Sequence, residues 1–400
     1  MRLKGKRLLV VGAGRGQVDL IKTAQQKGCY VLVVTHADHY PGVALADKVC
    51  YADIRDAQAV CRIAQQEQVD GVVTACLDTG VEAVGYTCDS LGLPGVSYET
   101  ARRSNDKLLM KQVLVEAGVP TAPYRLIRTA DELNGAINEM TFPLVLKAVD
   151  LQGSRGIYIC RSKQEVLLHY DEVMQQTEKE YCLLEEFISG TEFGAEAFVQ
   201  DGKVLFVLPN GKNNYLAATG VPVGHFAPLD RDEAFIAKAK DIVCRAIHAM
   251  KMDNCAVNVD LIERDGNIYV IELTCRVGAN CLPELVSLYY GINYYEMIIA
   301  CALGQSAESV FNKRTAKPVT NASRMLSVEK SGIVRSIVNH HPADDPSVYA
   351  VTFFVKEGDA VRKFQNSNDC VAQVVVTGET YADCEKTIAE LKQDIEIVLQ

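Results

Sequence analysis

No run of apolar residues in the 400-residue chain is long enough to cross a bilayer; runs such as Leu8–Val11 and Val31–Val34 have the length of strands. Positive charge is also scarce. Lysines and arginines number 41 against 51 acids, and the net charge of −10 argues against a nucleic-acid surface beyond a local groove. The 14 cysteines form no CxxC pair and no repeated spacing, and most, like Cys29, Cys160 and Cys244, sit inside apolar runs. That pattern excludes a disulfide scaffold and leads us to expect a reducing compartment, most simply the cytoplasm. Internal repeats, low-complexity tracts and the GxxxxGK[ST] phosphate loop are missing too. What remains is an ordinary globular composition, 48% hydrophobic and 23% charged, in a chain too long for one compact domain.

Residues 7–96 alternate short β-branched runs (Leu8–Val11, Tyr30–Val34, Val69–Thr74) with helical stretches (Gln17–Lys27, Ala57–Gln66, Val81–Leu91). The alternation predicts a parallel sheet with helices on both faces, and a site beyond the carboxyl ends of its strands. The opening segment carries basic residues before a short apolar stretch and runs straight into Gly12-Ala13-Gly14, so it reads as a first strand rather than a signal peptide. Ser104-Asn105 reads as the cap of a helix ending at Gly118, and the stiff Val119–Pro123 segment as a domain boundary. The expected fold class is α/β and α+β. A parallel α/β domain covers 1–118, a central domain covers 119–316 with a small α+β unit at about 124–190, and a small α+β module covers 317–400.

The glycine loop Gly12–Gly16 is one position short of GxGxxG, since Gln17 stands where the third glycine belongs, and no acid closes the second strand. A nicotinamide cofactor is therefore disfavoured. Lys107 falls in a helix's first turn, where a cation opposes the dipole unless an anion is held there; a solvated surface lysine is the bland alternative. Lys147 lies within the apolar strand Pro143–Val149, where a free ammonium is costly to bury. Directly after it, Gln152-Gly153-Ser154-Arg155-Gly156 offers backbone N–H groups to phosphate oxygens. Further on, Glu185-Glu186-Phe187-Ile188 closes an apolar strand and Glu192 follows. Strand-end backbone groups there suit an adenine edge and Glu192 suits ribose hydroxyls; an acidic connector facing water is the alternative.

The sharpest cluster is a hairpin, Ala256–Glu263 and Ile268–Thr274 joined through Arg264-Asp265-Gly266-Asn267. A two-residue loop would throw Asp260 and Glu272 onto opposite faces. A three-residue loop pairs Asp260 with Glu272 and Asn258 with Thr274, about 5 Å apart, and leaves Val257, Val259, Leu261, Tyr269, Ile271 and Leu273 as the apolar face. Two such carboxylates repel unless a cation intervenes, and oxygen-only ligands suit Mg²⁺. Arg276, two residues on, is placed to hold a second anion.

Taken in order, these clusters resemble an ATP-grasp carboxylate–amine ligase, with likeness both to biotin carboxylase and to amino-acid ligases. The resemblance implies a central ATP-grasp fold with a mobile lid over 124–190 and ATP with Mg²⁺ (or Mn²⁺) as cofactors. Lys107 and Lys147 would be the nucleotide lysines, Gly153, Ser154, Arg155 and Gly156 the glycine loop, and Glu185–Ile188 with Glu192 the nucleoside contacts. Asp260, Glu272 and Thr274 would be the metal set, with Thr274 standing where the family has asparagine. Arg276 and Lys147 would be catalytic, and Arg276, His225 and Gly278 would border the substrates, His225 being equally readable as structural. The implied reaction activates a carboxylate, favouring an amino acid, as an acyl phosphate with release of ADP, and transfers it to an amine. The implied partners are these small molecules, with no nucleic acid or membrane, and a homodimer by family expectation. A bicarbonate-using carboxylase and an ATP-binding regulator without turnover are the alternatives.

Overall fold

A computed structural model describes residues 3–151, 155–216 and 220–400. The expected parallel sheet is present, with strands in the order Lys48–Tyr51, Tyr30–Thr35, Arg7–Val11, Gly71–Val73. The strand Lys48–Tyr51 was not legible in the sequence, because its residues are only partly buried and show no apolar run. An eight-stranded antiparallel sheet forms the centre and runs, without a break, into the C-terminal strands Thr320–Leu326, Ala372–Gly378 and Val348–Phe353. Among the described residues no helix is long and apolar enough to cross a membrane.

Residues 124–186 form a separate four-stranded sheet in the order Tyr124–Ile127, Cys182–Glu186, Leu144–Lys147, Ile157–Cys160. Two helices cover it, and each starts at a hydroxyl cap: Thr129 accepts from the Glu132 N–H, and Ser162 from that of Glu165. This unit packs its own core around Ile127, Leu144, Leu146, Val166 and Leu184. The parallel sheet, by contrast, shares one apolar cluster with the central sheet, running from Leu9 and Leu32 to Val257 and Leu273.

Two expectations need correction. Ser104 and Asn105 do not open a helix; they end the helix Tyr98–Asn105, and the next helix, Lys107–Glu116, is capped by Asp106, which accepts from the N–H groups of Leu108 and Leu109. The hairpin loop is the two-residue one. Arg264 pairs with Asn267 around Asp265 and Gly266, whose φ values of 53° and 74° suit the tight turn that a right-twisted hairpin favours. Asp260 nevertheless pairs with Glu272, because the register shifts between Asp260 and Leu261 and Ile271 is left over as a β-bulge. The bulge turns Tyr269 and Ile271 off the apolar face, and Ile268 and Val270 are the buried residues there.

Candidate active site

A cleft of about 400 Å³ lies between the small sheet, the hairpin and the ends of the parallel strands. Lys147 sits at the end of its strand with its side chain 11% exposed, and its Nζ lies 2.8 Å from Glu185 Oε2. Lys111 meets the same oxygen at 3.2 Å from the other side. Glu185 is thus a buried carboxylate whose Oε2 bridges two lysines. Burial acts to raise its pKa, but Lys111 and Lys147 outweigh that and hold it below the usual carboxylate range. The N–H groups of Glu186 and Phe187 donate to the carbonyls of Pro123 and Pro143 at 2.9 Å each, and Glu186, Phe187 and Ile188 all line the cleft. Glu192 lies across from them, half-exposed and accepting from Asn214 Nδ2 at 2.9 Å.

Lys107 is no surface lysine. Its side chain is 8% exposed, and Nζ donates to the Leu151 carbonyl at 2.8 Å and pairs with Glu272 Oε1 at 3.1 Å. Asp260 finds a cation in Lys212 at 2.7 Å. Burial works to lower the pKa of Lys212, but Asp260 and Glu192 keep it above its ordinary value. The repulsion between the hairpin's two acids is therefore relieved by one lysine each. Lys212 lies within the strand Lys203–Leu216. Thr274, opposite Asn258, is buried, and its Oγ1 has no hydrogen-bond partner. Two adjacent carboxylates and an orphaned hydroxyl are an all-oxygen set that fits Mg²⁺ or Mn²⁺. Among the described residues no three His, Cys, Asp or Glu side chains converge, so such a cation would complete its shell from substrate oxygens.

At the far end, Arg276 holds Asp78 with two bonds, Nε to Oδ1 at 2.7 Å and Nη2 to Oδ2 at 2.8 Å, and reaches Asn258 Oδ1 at 3.3 Å. Asp78 was missed by sequence reasoning, although it follows the carboxyl end of the strand Gly71–Val73, where such a sheet places its site. His225 lines the cleft but is buried, and burial together with Lys212 pushes its imidazole down to about 3, which favours the neutral form. Gly278 is packed behind the cleft rather than facing it. A Cβ there would stand 2.5 Å from Glu196 Oε1 and 2.3 Å from Leu282 Cδ1. Arg155 and Gly156 form a turn before Ile157, with Gly156 at φ 62° and its carbonyl accepting from Ala148 N–H. Gln152, Gly153 and Ser154 lie outside the described residues.

Glu196 was also missed, though a lone acid in the apolar run Phe193–Val199 is the kind of signal that marked Lys147. Its Oε1 accepts from Asn258 Nδ2 at 2.8 Å and from the Gly278 N–H at 3.0 Å, while the buried Oε2 has no partner. Burial pushes its carboxyl from 4.5 up to about 8, against the pull of Asn258 and Arg276. The folded chain thus keeps a proton that the unfolded chain has released. Stability contributed by this group is full below the ordinary carboxyl range, falls as pH rises towards about 8 and is level beyond. Glu196→Gln is expected to remove that slope, read as the urea midpoint against pH; an unchanged slope in the variant would refute the assignment.

With the geometry in hand, the likenesses are specific. Residues 105–280 match the family model of the phosphoribosylglycinamide synthetase ATP-grasp (A) domain, and residues 324–400 match that of the L-amino acid ligase C-terminal domain 2. Among solved structures, a phosphoribosylglycinamide synthetase from Anaerococcus prevotii is 41% identical over 99% of this chain and 100% of its own, with a TM-score of 0.87. An L-amino acid ligase from Bacillus licheniformis shares the fold at 20% identity, with 99% of each chain covered and a TM-score of 0.86. The biotin carboxylase domain of a Hydrogenobacter thermophilus 2-oxoglutarate carboxylase, a dimer holding MgADP and bicarbonate, also shares it. There the identity is 18%, the coverage 98% of this chain and 91% of that one, and the TM-score 0.80. The chain belongs to the ATP-grasp family. Within it, the protein is an ADP-forming carbon–nitrogen ligase that joins a carboxylate to an amine at the expense of ATP.

Proposed function

We propose that the carboxylate is that of an amino acid without a phosphate group, activated as an acyl phosphate and transferred to an amine. The observation that carries this is the charge of the cleft. Six carboxylates line it (Asp78, Glu185, Glu186, Glu192, Asp260, Glu272) against three bases (Lys147, Lys212, Arg276). Each of those bases already holds a carboxylate. With Lys147 given to the nucleotide and Arg276 to the acyl phosphate, the described bases lining the cleft leave only Lys212, 2.7 Å from Asp260, for any further phosphate. The match of residues 324–400 to the L-amino acid ligase model supports the same reading. A second reading, an acceptor carrying a phosphoribosyl group, follows from the name of the 41% identical relative.

In this reading Lys107 and Lys147 hold the nucleotide phosphates, Glu186–Ile188 meet the base and Glu192 the ribose. Asp260, Glu272 and the Thr274 hydroxyl hold Mg²⁺ (or Mn²⁺), which when bound neutralises charge on the transferring phosphoryl group. Arg276, fixed by Asp78, faces the acyl phosphate and the adduct formed when the amine attacks. Residues 124–190 close over the nucleotide as a lid, consistent with their separate core, and so keep water from the acyl phosphate. Domain limits of 1–118, 119–316 and 317–400, a cytoplasmic setting and a homodimer belong to the same proposal.

The test is turnover with Mg·ATP, pooled carboxylates and hydroxylamine as trap. Carboxylate-dependent ADP with hydroxamate is expected from the amino-acid pool, with no need for a phosphoribosylamine acceptor. AMP and pyrophosphate would overturn the acyl-phosphate route. Turnover confined to glycine with phosphoribosylamine would replace the first reading by the second.

A further inference from the structure

Lys111 lies one helical turn after Lys107, on the buried stripe Leu108, Lys111, Leu114, and is 1% exposed. Its Nζ donates to Thr121 Oγ1 at 2.8 Å and to the Ala122 carbonyl at 3.3 Å, and it pairs with Glu185 Oε2 at 3.2 Å. Thr121 Oγ1 in turn donates to the Val270 carbonyl at 2.8 Å, so the lysine is anchored on the segment that joins the small sheet to the hairpin. Lys147 competes for the same Glu185 oxygen from the cleft side at 2.8 Å, while Glu185 Oε1 has no partner. One buried carboxylate thus serves two buried ammonium groups, only one of which faces the cleft.

We infer that Lys111 is a positioning residue: it is the resident counter-ion of Glu185, and so leaves Lys147 free to turn from that carboxylate to a nucleotide phosphate. This rests on the reading of Lys147 as a phosphate ligand. Were Lys147 the sole partner of Glu185, its departure would strand a buried charge, the one-sided loss that makes breaking an enclosed ion pair costly. With Lys111 in place, Glu185 keeps a cation throughout the cycle. Thr121 and Ala122 fill the donor directions of Lys111 that point away from Glu185, so this lysine has no reason to follow the phosphate.

The ionisation of Lys111 gives the idea a second handle. Burial, aided by Lys147 and opposed by Glu185, brings the ammonium down to about 8. The charged groups facing it are Glu185 and Lys147 from the small sheet, and the Tyr124 ring stands 5.5 Å away. Above about pH 8 Glu185 would then claim Lys147 for itself, and nucleotide binding should weaken.

The experiment measures Mg·ATP binding calorimetrically on the full chain, without turnover. Lys111→Met is expected to weaken binding by about tenfold, one buried charge's worth of competition for Lys147. Adding Glu185→Gln to it is expected to restore most of the loss, because an uncharged partner no longer captures Lys147. Equal binding by K111M, or a double variant weaker than the single one, overturns the inference. The pH dependence of binding supplies a second readout. Wild-type binding should weaken above about pH 8, and the break should disappear in Glu185→Gln yet persist in Glu196→Gln. A break that survives in E185Q also overturns it. If Lys147→Met binds Mg·ATP as tightly as the wild type, the underlying reading of Lys147 has failed; if K147M is weakened and K111M is not, only the present inference has.

Discussion

Glu272→Gln should cut carboxylate-dependent ADP release by about 10²–10³-fold, the range seen when one preorganised electrostatic group is removed from a transition state. The substitution preserves shape, and the side chain is 31% exposed, so the fold has little to lose. What goes is one of two adjacent anions, the feature that makes this end of the hairpin attractive to a divalent cation. The dependence on free Mg²⁺ should therefore shift to higher concentration, together with the fall in turnover. Lys107 loses its partner as well, but it keeps the Leu151 carbonyl at 2.8 Å. ADP release measured across a magnesium series checks this, and an unchanged magnesium midpoint would remove Glu272 from the metal set.

Arg276→Met has a comparable expected effect on turnover for a different reason. The guanidinium is 12% exposed and Asp78 15%, and their two-bond fork spans the parallel domain and the hairpin strand's end. Losing one member of an enclosed pair costs about 3–5 kcal/mol, which lowers the unfolding midpoint. Turnover per folded molecule should also drop by about 10²-fold or more, because the other described bases lining the cleft, Lys147 and Lys212, are held by Glu185 and Asp260. Arg276→Lys should recover little of either, since an ammonium cannot reproduce the planar fork. The two effects separate by comparing the midpoint with kcat at a temperature where the variant is fully folded. A variant that is destabilised but turns over normally would make Arg276 a clamp between domains and nothing more.

The difference between what was legible and what was not follows a pattern in the residues. Lys147 stood out because an ammonium interrupts an apolar strand, and it is indeed enclosed. Lys111 and Glu196 carry the same contradiction, an ion on a buried stripe or in an apolar run, and were passed over because they fall in no recognisable motif. Lys212 offered no signal, since polar residues surround it in sequence and only the sheet buries it. The hairpin is the most instructive case. Asp260 and Glu272 were paired correctly through the wrong loop, because a bulge at Ile271 makes up the residue that the two-residue turn leaves short.

Periodicity and the order of lysines, glycine loop and acids along the chain sufficed to read most of the parallel sheet, the hairpin and the family. These features are local, and each is written within a dozen or so neighbouring residues. The counter-ion of each charged group was decided only by the tertiary structure: Asp78 and Arg276 are 198 residues apart, Asp260 and Lys212 48, Glu185 and Lys147 38. Burial is what makes those choices binding. Once enclosed, an ion must find its partner wherever packing brings one, and no local pattern along the chain records where that is.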